Sequence, residues 1–277
     1  MKRILTVQDI SCVGKCSLTV ALPVISAMGI EACPLPTALL SVHTAFPSFT
    51  FLDLTREIDR IIDSFAAQAI TFDGIYTGYL GSHEQIDQVI RLLTPLKKPD
   101  SLILVDPAMA DNGKLYKGFD AAFPSHMLAL CRRADVIVPN LTEACLLLGQ
   151  PVPETVSPKE AEPLLRRLAE EGPAIAVLTG VTDGRQMGAM LYDKRDGHFY
   201  ASMDTLLPHF FHGTGDLFAS TLFGALMREK SPDTALDLAV KMTHKAMEKT
   251  ISDPASAWYG VNFEAALPEL ITEINKM

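Results

Sequence analysis

VIVPNLTEACLLL, Val136 to Leu148, changes from one kind of backbone to another within a few residues. Val136 to Val138 is a short β-branched run of the sort that fills a strand buried on both faces. Pro139-Asn140 interrupts it. Asn140 with Glu143 three positions on has the form of a capping box, and the apolar residues that follow continue at helical spacing to Leu148. The segment reads as strand, polar turn and helix, and the rest of the chain repeats that order.

Ile4 to Val7, Gly74 to Thr77, Leu102 to Val105 and Ile175 to Leu178 are further strand candidates. Leu18 to Met28, Glu84 to Leu93, Leu141 to Leu148, Pro158 to Glu170 and Asp216 to Met227 carry helical spacing. Strands alternating with helices imply right-handed crossovers and a mostly parallel sheet covered on both faces, an α/β fold in three layers. Between Gly188 and Met203 the pattern changes to AMLYD and GHFYASM around Lys194-Arg195-Asp196-Gly197, which reads as a β-hairpin at the sheet edge. No repeat, low-complexity tract or linker divides the sequence, so residues 1–277 are expected to form one domain.

The chain has 277 residues, 48% of them apolar and 21% charged, the balance of a folded globular protein. Its net charge of −9 opposes nucleic acid and anionic membranes as partners, because both need clustered Lys and Arg. The apolar run in MKRIL stops at Gln8-Asp9, too early for a signal segment, and no stretch is long enough for a membrane helix. The five cysteines are odd in number, dispersed and mostly in apolar company. Buried, reduced thiols in a cytoplasmic protein are expected, Cys12 and Cys16 included.

In parallel sheets ligands gather beyond the carboxyl ends of the strands, so the polar residues there carry the functional reading. HGTGDLFAS, His212 to Ser220, places two glycines around Thr214, then Asp216, then an unbroken apolar helix. Backbone N–H groups at such a start, with the helix dipole behind them, form an anion hole for phosphoryl oxygens. Asp216 stands where an alcohol could approach that anion, and the same dipole is expected to lower its pKa. A weak base suffices for phosphoryl transfer, whose loose transition state needs the alcohol proton removed only as the new bond forms. LILVDPAMAD sets Asp106 and Asp111 after another strand, VIVPNLTE sets Asn140 and Glu143, and AVLTG sets Thr179. Asp106 and Glu143 could hold Mg²⁺ through water, since a nucleotide-bound Mg²⁺ keeps several waters. Asn140 and Glu143 can serve both as cap and as site.

DISCVGKCSL, Asp9 to Leu18, contains Gly-Lys but is not a phosphate-cradling P-loop. The first glycine of G-x-x-x-x-G-K-[ST] falls on Asp9 and the terminal hydroxyl on Cys16.

Asp-Pro after one strand, Asn-x-x-Glu after the next, Thr after a third and G-T-G-D opening a long helix resemble the ribokinase superfamily of small-molecule kinases. TGYLGS (Thr77–Ser82), VDPAMAD (Val105–Asp111), PNLTEACLL (Pro139–Leu147) and HTAF (His43–Phe46) are similar to its pyridoxal kinase branch. The resemblance covers nearly the whole chain. It implies a ribokinase-like fold with a small β lid, ATP-dependent phosphorylation of the hydroxymethyl group of pyridoxal, pyridoxamine or pyridoxine, and a homodimer. By the same resemblance Asp216 is the base and the Gly213-Thr214-Gly215 backbone the anion hole. Asp106, Asn140 and Glu143 serve Mg²⁺ and the triphosphate, Asp111 lies near the cations, and Thr179 near the nucleotide. His43, Thr44 and Tyr79 line the acceptor pocket, and a monovalent cation such as K⁺ or Na⁺ accompanies Mg²⁺.

One position departs from the branch. Its first strand is commonly followed by Gln-Ser, whereas this chain has Gln8-Asp9, with Ser11 two residues later. DISCVGKCSL thus looks like the acceptor end of the site, and an aspartate there is similar to hydroxymethylpyrimidine kinases. Asp9 could pair with a ring N–H or the amine of pyridoxamine, while Lys15 reads as a solvated loop lysine. Hydroxymethylpyrimidine kinase is therefore the second enzyme reading, a sugar or nucleoside kinase a weaker one, and a non-catalytic vitamer-binding protein the reading from another class.

Overall fold

The computed structural model describes residues 1–276. In chain order the elements are β1 (Arg3–Val13), α1 (Leu18–Ala27), β2 (Glu31–Val42), β3 (Phe51–Asp53), α2 (Thr55–Ala67), β4 (Phe72–Thr77), α3 (His83–Leu96) and β5 (Lys97–Val105). There follow β6 (Ala110–Asp111), β7 (Lys114–Leu115), α4 (Phe123–Cys131), β8 (Val136–Ile137), α5 (Leu141–Leu147), α6 (Pro158–Glu170) and β9 (Ile175–Asp183). β10 (Gln186–Asp193), β11 (His198–Thr205), α7 (Thr214–Met227), α8 (Pro232–Ser252) and α9 (Leu267–Lys276) complete the chain.

Nine strands form one sheet in the order β11-β10-β9-β8-β5-β4-β1-β2-β3. β2, β1, β4, β5, β8 and β9 run parallel, and the antiparallel strands β3, β10 and β11 lie at the two ends. The predicted mostly parallel sheet and the 188–203 hairpin are both present. Tyr192 and Phe199 stack across that hairpin with centroids 4.6 Å apart.

Side chains alternate between two apolar layers, as the strand period requires. Leu5, Ile75 and Val105 face α2 to α6, while Ile4, Tyr76 and Leu104 face α1, α7, α8 and α9. Gly74 lets α7 approach the sheet: a Cβ there would lie 2.9 Å from Met227 Sδ and 3.0 Å from Phe223 Cζ. The capping box at α5 forms as predicted, with Asn140 Oδ1 accepting from the Glu143 N–H and Glu143 Oε2 accepting from the Asn140 N–H, each at 2.9 Å.

Other elements extend or add to the sequence reading. β1 continues past Val7 to Val13, through polar Gln8, Asp9 and Ser11, with a register shift between Gln8 and Ile10. β2 carries Pro34 and Pro36, which weaken a strand signal. α2, α4, α8 and α9 also lie outside the segments read as helical. α8 alternates charged and apolar residues along its length, and only packing on α7 and β10–β11 reveals its buried face. Cys12 is exposed, contrary to the buried thiol expected there, because the end of β1 leaves the core; Cys16, Cys131 and Cys145 are buried. Among the described residues no helix is long and apolar enough to cross a membrane.

The sheet order places a topological switch at β1. The connection through α1 leads to β2 on one side, and the next long crossover returns to β4 on the other. The carboxyl ends of β1 and β4 therefore open a crevice between diverging connections, the usual place for a ligand in such sheets.

Candidate active site

Five acids from different elements converge beyond these strand ends. Asp9 comes from β1, Asp106 follows β5, Asp111 ends β6, Glu143 lies in the first turn of α5 and Asp216 in the first turn of α7. Their mutual electrostatic influence links them: Asp216 feels Asp9, Asp106 feels both Glu143 and Asp216, and Glu143 feels Asp111. Tyr116, just after β7, faces Glu143, Asp106, Asp111 and Asp216, and burial followed by these charges raises its hydroxyl pKa.

Asp216 corrects the reading from the helix dipole. Its carboxyl is pushed up to about 7, first by burial, with a smaller contribution from the Asp9 charge, while the Ser17 backbone N–H opposes the rise. Part of its surface remains open, but desolvation outweighs the dipole. Asp216 therefore carries a carboxyl that titrates near neutrality, higher than the dipole argument predicts.

The first turn of α7 carries the glycines read as an anion site. Gly213 has φ 80°, and a Cβ there would overlap the Lys15 carbonyl. At Gly215 a Cβ would meet nothing within 4 Å. The initial N–H groups of a helix have no intrahelical acceptor, so this open, glycine-lined turn suits the oxygens of a phosphoryl group.

Asp106 and Glu143 titrate as a pair whose pKa values lie above the ordinary carboxylate range. Burial is the main cause for each, reinforced at Asp106 by Glu143 and Asp216. Glu143 Oε1 accepts from the Met109 N–H at 3.1 Å and the Ala110 N–H at 3.4 Å, and its Oε2 from the Asn140 N–H. Both oxygens are thus engaged, which suits contact with a cation through water. The pair is short of positive charge, and its donors are the hard oxygens that Mg²⁺ takes. Asn140 Nδ2 donates to the Ala110 carbonyl at 2.9 Å, and Asn140 is bridged to Thr179 at the end of β8 and within β9. Asp111, Asn140, Glu143 and Thr179 therefore meet on the β8–β9 side of the crevice.

On the β1 side, Asp9 is buried and accepts a hydrogen bond from Ser17 Oγ at 2.6 Å. Ser11 is buried beside Cys16, and a Cβ on Gly14 would lie 3.0 Å from Ser11 Cβ and 3.2 Å from His43 Cβ. Tyr79 is half-buried, its ring 5.8 Å from that of Phe119, and its hydroxyl pKa is raised by burial and then by Asp9 and Asp53. His43 follows β2 and faces His212 from the loop before α7. Thr44 is exposed on the turn after His43, and no side-chain hydrogen bond ties it to the cluster.

Lys15 is not a free loop lysine. Its Nζ donates to Glu264 Oε2 at 2.7 Å and Asn262 Oδ1 at 3.2 Å, tying the loop to the C-terminal segment. A Cβ on Gly260 would press on Lys15 Cβ. The sequence places the HFFH run, His209 to His212, beside the site without giving it a role, and it gives no sign of Tyr116 or Ser17 as site residues. Ser17 adopts φ 48°, ψ −130°, a backbone state that costs a non-glycine residue about 1–3 kcal/mol. Nothing in the run Cys16-Ser17-Leu18 announces it.

Comparisons with known proteins fit this geometry. A protein of Bacteroides thetaiotaomicron, named as a candidate phosphomethylpyrimidine kinase, is 39% identical; its structure covers 97% of this chain and 93% of its own, with a TM-score of 0.94. A second crystal form of that protein contains pyridoxal. Pyridoxal kinase from Lactobacillus plantarum is 33% identical, covering 98% of this chain and 97% of its own, with a TM-score of 0.92. Among curated relatives, pyridoxal kinase of Arabidopsis thaliana is 27% identical over 93% of this chain and 85% of its own. The model of the phosphomethylpyrimidine kinase family matches residues 21–256, and the chain belongs to that family, within the ribokinase superfamily.

Proposed function

We propose that this protein is an ATP-dependent kinase that phosphorylates the hydroxymethyl group of a B6 vitamer, pyridoxal, pyridoxamine or pyridoxine. The observation that carries the reading is Asp216: a carboxylate with a pKa near 7 in the first turn of α7, beside an open Gly215. A non-catalytic vitamer binder has no use for a base so placed. The relatives named as pyridoxal kinases, and the pyridoxal bound to the Bacteroides protein, supply the acceptor class.

In this reading Asp9, Ser11, His43, Thr44 and Tyr79 hold the heteroaromatic ring, and Asp9 takes a ring N–H or an amine. Asp216 accepts the alcohol proton as the oxygen bonds to phosphorus. The backbone of Gly213, Thr214 and Gly215 receives the phosphoryl oxygens and stabilises charge that develops on them. Asp111, Asn140 and Thr179 border the nucleotide. Asp106 and Glu143 would hold Mg²⁺, through water, and the ion would supply charge neutralisation at the phosphates. A monovalent cation, a homodimer and a single domain over residues 1–277 belong to the same proposal.

A second reading, hydroxymethylpyrimidine kinase, is favoured by Asp9 and by the family model. Both are tested by Mg²⁺-dependent ADP release from ATP with pyridoxal, pyridoxamine, pyridoxine, hydroxymethylpyrimidine, ribose or no acceptor. Turnover confined to the vitamers is expected. Turnover with the pyrimidine alone would replace the first reading with the second, and a folded protein inactive with every acceptor would overturn both.

A further inference from the structure

We propose that Ser17 is a positioning residue for acceptor recognition, its hydroxyl holding Asp9 in one orientation. Serine before a helix ordinarily caps it by accepting from an N–H of the first turn. Ser17 makes no such bond at α1. Its hydroxyl donates instead to Asp9 Oδ1 at 2.6 Å, between two buried side chains. Its backbone, at φ 48°, sits where glycine would rest without strain, and its N–H holds the Asp216 pKa down against burial. One residue therefore bonds the acid assigned to the acceptor from the loop that packs on the turn of the acid assigned to the proton.

The neighbouring packing keeps this geometry in place. The Lys15 carbonyl lies against Gly213, so the loop that carries Ser17 and the turn that carries Asp216 are in direct contact. Asp9 Oδ2 has no side-chain donor among the described residues and is not sealed in the core, so with Oδ1 engaged it is the oxygen left for a ligand. Burial raises the Asp9 pKa above its ordinary value, and the Ser17 hydroxyl opposes that rise. A carboxyl oxygen fixed in this way accepts from a ring N–H or an ammonium group and discriminates against an acceptor that offers only lone pairs. The titratable groups facing Asp9 are Cys16 from its own loop, Tyr79 beyond β4 and Asp216 from α7; Asp106, Tyr76 and Tyr116 face Asp216 in turn.

This inference rests on the B6-kinase reading, and its test separates the two. Ser17→Gly removes the hydroxyl while keeping the backbone state and relieving its strain, so the variant should melt no lower than wild type. With the best vitamer, KM is expected to rise about tenfold, the factor one charge-assisted hydrogen bond carries, with kcat changed less than about threefold. Asp9→Asn should raise KM at least as much, and Ser17→Gly should add nothing in the Asp9→Asn background. Independently of turnover, infrared difference titration of Asp9, using Asp9→Asn as reference, should show its midpoint moved upward by Ser17→Gly. A lower melting temperature with equal losses in kcat and KM, additive effects with Asp9→Asn, or an unmoved Asp9 titration would overturn the inference. If wild type phosphorylates no vitamer, the functional reading fails, and the infrared titration still decides the Ser17–Asp9 link.

Discussion

His43 and His212 face each other across the entrance to the site, with ring centroids 4.7 Å apart and planes inclined by 49°. Nδ1 of His43 accepts from the Ala45 N–H at 3.2 Å, which assigns the ring proton to Nε2. Burial, and then the charge of His212, lowers the His43 pKa below its ordinary value. The unfolded chain therefore binds a proton that the folded chain resists. Stability should fall as pH drops through about 6.5 toward the lowered folded value. In His43→Gln the fall in melting temperature between pH 7.5 and 5.5 should be smaller than in wild type, as calorimetry would show.

Asp216 must be ionised to accept a proton, so log kcat/KM should rise with pH and bend near 7, dropping about tenfold per unit below that value. Asp216→Asn should lower kcat by roughly 10²–10⁴ with nucleotide binding retained. The stability effect has the opposite pH sense. A carboxyl raised to about 7 in the folded state favours folding below its unfolded value near 4 and loses that advantage as pH rises through 7. Asp216→Asn should therefore raise the melting temperature more at pH 8 than at pH 5.

The two glycines around Thr214 should separate folding from chemistry. Gly213→Ala puts a Cβ into the Lys15 carbonyl at a positive φ, and a loss of about 1–3 kcal/mol in denaturant stability is expected. Gly215→Ala meets no atom and replaces a helical glycine, so stability should hold or increase by up to about 1 kcal/mol. Its kcat should nevertheless fall about tenfold or more, because the new methyl group occupies the approach of a phosphoryl oxygen to the backbone. Full activity in Gly215→Ala would remove this turn from the mechanism.

Mg²⁺–ATP binding should release protons. Burial holds the Asp106 and Glu143 pKa values high in the free protein, helped by Glu143 and Asp216 at Asp106 and by Asp111 at Glu143, and a nearby cation opposes these causes. Isothermal titration near pH 7 in buffers of different ionisation enthalpy should show net proton release. Asp106→Asn should reduce it, and release equal to that of wild type would show that this pair is not the cation's partner.

Much of this architecture is readable from local pattern. The β8–Asn140–α5 unit carries its own cap, and the strands around it are short apolar runs with clear ends, so the parallel core is visible in the sequence. β1 is misjudged in length because its site-bearing half is polar, and polar residues in a strand cancel the signal that finds strands. The positions of Asp106, Asp111, Glu143 and Asp216 follow from strand ends, but their electrostatics do not. The dipole at α7 is local and predictable; the desolvation that overrides it depends on every element packed around Asp216. Ser17 and His212 owe their places to a backbone twist and to a distant turn, neither of which has a composition.

The switch at β1 also divides the chain by task. Before α7, the groups assigned to the acceptor lie between Asp9 and Tyr79, and those assigned to the nucleotide between Asp106 and Thr179. A gene encoding this protein can thus acquire a different acceptor through changes confined to its first third, inheriting the phosphate machinery intact. Grafting residues 1–79 between relatives would put that division to use, provided the graft keeps Lys15 in register with Glu264 and Gly213.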